Sequence, residues 1–293
     1  MQKYLKLLRV KHYIKNILVL LPLFFAGDFT NIKSFTIGIL GVINFCLASS
    51  IVYVINDMRD VEKDRRHPVK CKRPLASGEI NFKHAYAILF ILIFCCIGFN
   101  YLTNENSIIS WVCIFLYVVI NLLYSFGLKN IVLLDVFILV IGYVLRLYYG
   151  AFIVNIQISA WLYLTVISMA FYLGLGKRRN ELDKNEGKRT RKVLLKYNRS
   201  FLDKSMYMCL TLTIVFYSLW CEIVSHSMKS SLILISVPIV IIICMRYSLL
   251  IEGESDGDPI EVVYNDKVIV VLILMFIIFM IYIIYFNDRF IGV

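Results

Sequence analysis

Acidic side chains gather directly after an apolar run, in residues 56–64. If the preceding helix continues through this segment, Asn56, Asp60 and Asp64 recur at every fourth residue and share one stripe, with Asp57 beside them. Neighbouring carboxylates repel one another and stay ionised only next to a cation. Oxygen ligands of this kind suit Mg²⁺, which binds one or two carboxylates and completes its shell with water and substrate phosphates. The segment therefore predicts a site for Mg²⁺ and a diphosphate, and a solvated acidic helix end is the alternative.

The loop after these acids is strongly basic. Residues 65–73 hold five Lys and Arg side chains, and two prolines and a glycine within residues 65–78 exclude a continuous helix. A metal-bound diphosphate needs carboxylates for the metal, and Arg or Lys for the phosphate oxygens that the metal does not reach. Because the acidic and basic groups are contiguous, the sequence favours phosphate binding over a loop that only sets the membrane topology.

The composition is that of an integral membrane protein. Of the 293 residues, 60% are hydrophobic and 17% are charged, whereas soluble domains are about 45–50% apolar. The apolar runs are about 20 residues long, which is enough to cross a hydrocarbon core. We predict an all-α membrane protein with about nine transmembrane helices, in one bundle and one domain. The helices are expected near residues 16–33, 35–56, 84–101, 108–126, 132–153, 158–176, 205–224, 231–250 and 268–286.

The positive charge is concentrated in a few segments. A net charge of +11 would suit a nucleic-acid partner, but 25 of the 31 Lys and Arg residues lie in residues 1–15, 57–83, 129 and 177–204. With nine crossings and the N-terminus inside, all these segments fall on one side of the membrane, as the positive-inside rule requires. We therefore predict cytoplasmic loops at 57–83 and 177–204, an interfacial helix at 1–15, and no nucleic-acid partner.

Two charged residues lie within the fifth apolar run. A charge at membrane depth costs at least about 2.5–3.5 kcal/mol, so Asp135 and Arg146 require a specific role. They are close to three helical turns apart and share a face, but a rise of about 16 Å separates them, so no direct pairing is expected. Asp135 is predicted to orient Lys129 or a substrate hydroxyl, and Arg146 to be a buried structural cation. Tyr124 is predicted to line a polar cavity, and aromatic packing, the commoner role for tyrosines in such a chain, is the alternative.

The acidic motif resembles that of a known superfamily. Residues 56–64, in the form Asn-Asp-x-x-Asp-x-x-x-Asp, and Arg-Pro-Leu-Ala-Ser-Gly at 73–78 resemble the first aspartate motif of the UbiA superfamily of intramembrane prenyltransferases. Members are nine-helix bundles whose polar cavity opens to the cytoplasm. A narrower similarity, to decaprenyl-phosphate phosphoribosyltransferases, lies in residues 11–16, 124–146, 176–197 and 252–262. The resemblance implies a multi-pass protein of a bacterial-type inner (plasma) membrane, with its active site facing the cytoplasm.

The narrower resemblance implies a specific reaction. A 5-phosphoribosyl group would pass from 5-phosphoribosyl-1-pyrophosphate (PRPP) to a polyprenyl phosphate, with release of pyrophosphate, in cell-envelope glycan synthesis. Mg²⁺ is the implied cofactor, with Mn²⁺ as a substitute, and homo-oligomerisation is left open. One alternative is a prenyltransferase that moves a prenyl group from its diphosphate to an aromatic or other acceptor. Another is an anion transporter, which the lack of an internal repeat disfavours.

The second basic loop departs from the common pattern of the superfamily. Most members carry a second Asp-rich motif there, whereas this chain has Lys177, Arg178 and Glu181, with Asp183 out of register. The resemblance implies that this loop holds PRPP, and extra cations suit the 5-phosphate of that donor. The alternative is a surface ion pair between Lys177 and Glu181, worth only a few tenths of a kcal/mol.

The predicted site therefore has two sets of residues. The catalytic and metal-binding set is Asn56, Asp57, Asp60 and Asp64. The substrate-binding set is Lys15, Asn16, Arg73, Tyr124, Lys129, Asp135, Arg146, Lys177, Arg178, Glu181, Arg191, Lys192 and Tyr197.

Overall fold

The computed structural model describes residues 2–103, 108–184, 193–253 and 259–286, and the described residues form helices and turns without a strand. The α-helices are α1 (Gln2–Leu8), α2 (Leu21–Phe25), α3 (Ile32–Arg59), α4 (Val61–Arg65), α5 (Phe82–Thr103), α6 (Ile108–Phe126), α7 (Leu134–Ile153), α8 (Ala160–Lys184), α9 (Arg199–Met228), α10 (Ser236–Glu252), α11 (Pro259–Asn265) and α12 (Lys267–Ile281). The 3-10 segments are Val10–Leu20, Lys70–Lys72, Leu128–Asn130, Leu194–Lys196 and Ser231–Ile235, and a π-helical turn spans Tyr282–Phe286.

Eight helical segments within the described ranges are long and apolar enough to cross a membrane. They are Ile32–Arg59, Phe82–Thr103, Ile108–Phe126, Leu134–Ile153, Ala160–Asp183, Arg199–Met228, Ser231–Glu252 and Lys267–Phe286. The protein is therefore an all-α, multi-pass integral membrane protein, as the length of its apolar runs predicts.

The first predicted span, residues 16–33, is not one α-helix, and the count of nine is not confirmed. The chain instead forms the 3-10 segment Val10–Leu20, which passes directly into the short helix α2. A left-handed Gly27 follows α2, and the side chain of Asn31 caps the first turn of α3. The polar residues between the two apolar runs form this turn, because Asn and Gly favour helix boundaries.

One compact unit comprises Met1–Leu23, Phe29–Gly127 and Leu145–Gln157. Its core is built on α3, which packs against α5, α6 and the 3-10 segment Val10–Leu20. Gly150 of α7 has no room for a side chain, since an added Cβ would lie 1.9 Å from the carbonyl oxygen of Val19. This packing fixes the end of α3, where the predicted metal ligands begin.

A second compact unit comprises Phe24–Asp28, Leu128–Val144 and Ile158–Val293. Within it α8 and α9 pack along each other, and their buried core includes Tyr172, Leu202 and Met206. This unit therefore holds the start of α7 and the end of α8, the two places where the sequence analysis puts charged substrate-binding residues. The prediction of a single domain stays a prediction.

Candidate active site

The acidic segment is helical with one irregular residue. Helix α3 ends at Arg59, Asp60 adopts φ −90° and ψ 8°, and α4 resumes at Val61. The backbone bonds nevertheless continue across the irregularity, because Asp60 N donates to Asn56 O at 3.0 Å and Asp64 N donates to Asp60 O at 2.8 Å. The spacing of Asn56, Asp60 and Asp64 that the sequence predicts is therefore kept, although the helix is not continuous.

Two of the acids are buried and paired with arginines. Asp57 and Asp64 are 2% and 3% exposed. Arg73 Nη1 lies 3.0 Å from Asp57 Oδ1 and 2.6 Å from Asp64 Oδ2, and Arg9 Nη2 lies 2.7 Å from the same oxygen of Asp57. We call Arg9, Asn56, Asp57, Asp64 and Arg73 the first polar cluster. Its carboxylates are neutralised from within the protein, which is how buried charges are tolerated.

Asp60 has a different environment from the other two acids. Its carboxylate is half-buried and lies 2.9 Å from the guanidinium of its neighbour Arg59. That guanidinium in turn lies 4.8 Å from the ring centroid of Phe126 on α6. Asp60 is therefore the most accessible of the three aspartates in the segment.

Arg146 lies in a buried polar network, as its predicted structural role requires. It donates from Nε to Asn16 Oδ1 at 2.8 Å and from Nη2 to Tyr117 OH at 3.1 Å. Its guanidinium also lies 5.0 Å from the ring centroid of Phe45. Both Arg146 and Asn16 are buried. Their predicted contact with substrate stays a prediction, and the structure supports a role in holding the 3-10 segment.

A second polar cluster, which we define as Asp135, Arg178, Glu181 and Tyr197, joins α7, α8 and the loop before α9. Arg178 donates from Nε to Asp135 Oδ2 at 2.5 Å and from Nη1 to Glu181 Oε2 at 2.7 Å. Tyr197 donates to Asp135 Oδ1 at 2.7 Å, and its hydroxyl accepts from the backbone N–H of Leu133 at 2.8 Å. Asp135 is therefore oriented by a cation and a phenol that the sequence analysis did not pair with it.

The second polar cluster is largely closed to solvent. Asp135 and Arg178 are 0% and 1% exposed. Burial, followed by the hydrogen bond to Asp135, raises the pKa of Tyr197 to about 12, so Tyr197 remains a neutral donor at physiological pH. The guanidinium of Arg178 binds both Asp135 and Glu181. The predicted contact between Arg178 and a substrate stays a prediction.

The remaining predicted residues are distributed over both units. Four of them are half-buried: Lys15 in the 3-10 segment Val10–Leu20, Tyr124 in α6, Lys129 in the 3-10 segment Leu128–Asn130, and Lys177 in α8. Arg191 and Lys192 lie outside the described residues.

An apolar groove of about 750 Å³ lies beside the second polar cluster in the same unit. It is lined by residues of α7, α8 and α9, namely Leu134, Val136, Phe137, Ile167, Ser168, Phe171, Leu175, Phe201, Ser205, Met208, Cys209 and Leu212, together with Leu133. Its walls can accept a hydrocarbon chain but offer no charged group to a phosphate.

Comparison with known proteins identifies the family to which this chain belongs. The model of the UbiA prenyltransferase family matches residues 17–265. The chain belongs to the UbiA prenyltransferase family. The family that the sequence resembles is thereby confirmed, and the assignment of residues 56–64 to its first aspartate motif stays a prediction.

Three curated UbiA-family relatives match over most of their length, and each is named decaprenyl-phosphate phosphoribosyltransferase. The protein from Corynebacterium glutamicum is 32% identical over 92% of this chain and 82% of its own. The protein from Mycolicibacterium smegmatis is 32% identical over 97% of this chain and 92% of its own. The protein from Mycobacterium tuberculosis is 30% identical over 91% of this chain and 89% of its own.

Solved UbiA structures share the fold. A UbiA homolog from Archaeoglobus fulgidus, solved with GPP and Mg²⁺, superposes with a TM-score of 0.70 at 19% identity, covering 96% of this chain and 99% of that one. The same homolog was also solved with Cd²⁺, and that structure gives a TM-score of 0.67 at 19% identity. At this level of identity the comparison establishes the UbiA fold, and those structures hold divalent cations.

The first polar cluster fits a hard divalent cation by its donor chemistry. Among the described residues, Asn56 Oδ1 is buried without a hydrogen-bond partner, which is rare for a polar atom inside a protein. It lies in the same segment as the oxygen donors Asp57 and Asp64, and oxygen donors are what Mg²⁺ prefers. No group of three or more His, Cys, Asp or Glu side chains within the described ranges is arranged to hold a metal. Arg9 and Arg73 both contact Oδ1 of Asp57, so a cation that binds this oxygen would need one of the two arginines to move.

Two arginines of this UbiA chain have partners that the sequence does not predict. One is Arg9, whose contact with Asp57 spans 48 positions of the sequence and leaves no local pattern. The other is Arg179, which is buried and donates from Nε to Asp203 Oδ1 at 2.6 Å. In the same unit, Tyr207 donates a short hydrogen bond to Glu252. The adjacent arginines at 178 and 179 were the only sequence signal for Arg179.

Proposed function

We propose that this protein transfers the 5-phosphoribosyl group of PRPP to a polyprenyl phosphate and releases pyrophosphate. One observation carries the proposal: three relatives named for that activity align over 82–92% of their own length. The second polar cluster supports it. At the place where the resemblance leads one to expect a second Asp-rich motif, the chain has Arg178 and Glu181 bound to each other.

The reaction exchanges one bond at ribose C1 for another. The bond from C1 to the diphosphate oxygen breaks, and its electron pair leaves with pyrophosphate. An oxygen of the lipid phosphate forms the new bond to C1. A phosphate monoester is already ionised near pH 7, so no side chain has to act as a strong base. The protein therefore acts mainly by positioning the substrates and stabilising charge.

The first polar cluster is proposed to bind the diphosphate end of PRPP. When bound, Mg²⁺ neutralises the charge that develops on the departing pyrophosphate. Asn56, Asp57, Asp60 and Asp64 would hold that cation. Arg73, which already lies between Asp57 and Asp64, would bind the phosphate oxygens that the cation does not reach.

The other predicted residues have supporting roles. The 5-phosphate of PRPP is proposed to bind the cations of loop 177–204, including Lys177, Arg191 and Lys192. The lipid phosphate is proposed to bind Lys15 and Lys129. Asp135 and Tyr197 are proposed to orient a ribose hydroxyl or a backbone group, while Arg178 positions them. We also propose a bacterial inner membrane, a cytoplasm-facing site and a role in cell-envelope glycan synthesis.

The test is a reconstituted reaction with defined substrates. Purified protein in lipid nanodiscs is incubated with PRPP, a mixed polyprenyl-phosphate pool and Mg²⁺, and the lipids are analysed by mass spectrometry. The expected product has the mass of a phosphoribosylated polyprenyl phosphate, and pyrophosphate appears in equal amount. A parallel reaction contains a prenyl diphosphate and an aromatic acceptor in place of PRPP. Product in that reaction alone would establish a prenyltransferase and overturn the proposal.

A further inference from the structure

Arg9 is the cation of the first polar cluster that comes from farthest away in the sequence. It lies between α1 and the 3-10 segment Val10–Leu20, with left-handed backbone angles of φ 53° and ψ 47°. Residues other than glycine rarely adopt these angles, and surrounding contacts have to hold them. Two contacts do so here: Arg9 Nη2 lies 2.7 Å from Asp57 Oδ1, and the guanidinium lies 4.6 Å from the ring centroid of Tyr53.

Asp57 Oδ1 has its lone pairs fully used. It accepts from Arg9 at 2.7 Å and from Arg73 at 3.0 Å, and a carboxylate oxygen offers about two lone-pair sites. The two arginines differ in what else they bind. Arg73 also contacts Asp64 at 2.6 Å, whereas Asp57 is the one carboxylate partner of Arg9 within the described residues. A metal at this oxygen therefore requires an arginine to move, and Arg9 is the one with no second carboxylate to hold it.

We propose that Arg9 exchanges Asp57 for the substrate diphosphate when a divalent cation binds. The side chain of Arg9 is 25% exposed and can reach a ligand from solvent, while the side chain of Asp57 that it leaves is 2% exposed. A planar guanidinium matches two phosphate oxygens, which makes a diphosphate a suitable second partner. Arg9 would then be a substrate-binding residue. This inference rests on the proposed function only in requiring a diphosphate ligand.

The exchange predicts opposite effects of Arg9 on two binding steps. Without a diphosphate, Arg9 competes with the metal for Asp57 and weakens metal binding. With a diphosphate present, Arg9 has a new partner, so it no longer competes and adds a contact to the bound anion. A purely structural role for Arg9 would weaken both steps together when the residue is replaced.

The experiment measures Mn²⁺ binding by electron paramagnetic resonance on the full-length protein in nanodiscs of zwitterionic lipid, with and without pyrophosphate. Arg9→Asn removes the cation and suits the left-handed backbone, because Asn adopts it more readily than most residues. We expect this variant to bind Mn²⁺ in the absence of pyrophosphate about tenfold more tightly than the wild type. Pyrophosphate should increase its Mn²⁺ affinity about tenfold less than it does for the wild type. A tenfold change in affinity corresponds to about one hydrogen bond to a charged group. Lys6→Gln, which removes an exposed cation from α1, should change neither affinity.

Arg9→Lys keeps the charge but loses the forked geometry, so it should give effects of the same sign and smaller size. It also provides the comparison if Arg9→Asn does not yield folded, monodisperse protein. Unchanged Mn²⁺ affinity, or weaker binding both with and without pyrophosphate, would overturn the exchange. Because the assay contains neither PRPP nor lipid phosphate, its result is independent of which transfer reaction the protein catalyses.

Discussion

The carboxylates of Asp57 and Asp135, one in each polar cluster, are buried beside partners of opposite charge. Asp57 is neutralised by Arg9 and Arg73, and Asp135 by Arg178. Such pairs gain little over an apolar core, because the cost of removing the ions from water offsets much of their attraction. Their burial is therefore better explained by function or positioning than by stability. Asp60, which lies outside both clusters, is 29% exposed, so its substitution should not leave a buried charge without a partner.

Asp60→Asn tests the metal-binding role at the accessible acid. Asp60 is half-buried and its ion pair is with its neighbour Arg59, so the fold should tolerate the change. Turnover should fall about 100-fold, the usual effect of removing one electrostatic stabiliser of the transition state. The measurement is pyrophosphate release by EDTA-treated protein titrated with Mg²⁺.

The matched control for Asp60→Asn is Glu62→Gln, which removes an exposed carboxylate from α4. Glu62 pairs with Arg65 at the surface, so its loss should leave turnover and the Mg²⁺ requirement unchanged. Equal turnover for Asp60→Asn and the wild type at every Mg²⁺ concentration would contradict the metal assignment.

Arg178→Met tests the second polar cluster. Removing this cation leaves the carboxylate of Asp135 buried without its cation, which costs about 3–5 kcal/mol of folding free energy. The double variant Asp135→Leu/Arg178→Met removes both charges and should recover most of that loss. Thermal unfolding of the two variants and the wild type in the same detergent measures both effects. An Arg178→Met protein as stable as the wild type would show that the buried ion pair contributes nothing to folding.

At the scale of elements, the first polar cluster depends on how the N-terminal segment is attached to α3. The hydroxyl of Ser50 on α3 donates to Leu8 O at 3.1 Å and lies 2.7 Å from Tyr13 OH. Val19, at the other end of the 3-10 segment, packs against Gly150 of α7. These contacts place Arg9 against Asp57, so a change in the packing of α7 should reach the first polar cluster.

Gly150→Ala is expected to disturb this attachment. Its Cβ would lie 1.9 Å from Val19 O, and backbone cannot yield as a flexible side chain can. We expect a loss of about 1–3 kcal/mol of stability, as for other overpacked sites. Gly98→Ala is the control, because an added Cβ on that helical glycine of α5 meets open space. It should be neutral or stabilise the protein by up to about 1 kcal/mol. Thermal unfolding compares the two, and equal stability would contradict the packing argument.

The sequence predicts the elements better than the partners of their side chains. Apolar length alone locates the spans from α3 onward, because a hydrocarbon core fixes the length of a helix that crosses it. The 3-10 form of Val10–Leu20 is not predicted, and neither is the close approach of its Val19 to Gly150, which is 131 positions away in the sequence. The acids of residues 56–64 are recognised by their spacing, whereas Arg9 is not, because its partner is 48 positions away. Likewise the sequence predicts Arg178 as a substrate-binding cation of a cytoplasmic loop, and only packing shows that it is buried against Asp135.

At the scale of the whole molecule, the distribution of charge sets the orientation in the membrane. The segments 57–83 and 177–204 together hold 19 of the 31 Lys and Arg residues, and cytoplasmic loops carry such an excess. Cys71 lies in the first of these loops, and its thiol is partly exposed. His226 is exposed near the end of α9. Five spans lie between the two residues along the chain, so they should be on opposite sides of the membrane.

A membrane-impermeant maleimide tests this orientation. Cys71 should be labelled in inverted membrane vesicles, whose cytoplasmic face is outward, and should be protected in intact spheroplasts. The variant Cys71→Ser/His226→Cys should give the reverse pattern, because its exposed thiol is on the other side. The other seven cysteines lie within spans, where a polar reagent does not reach them. Labelling of Cys71 in spheroplasts but not in inverted vesicles would place loop 57–83 outside the cell. The proposed reaction uses PRPP from the cytoplasm, so the donor would then not reach the first polar cluster.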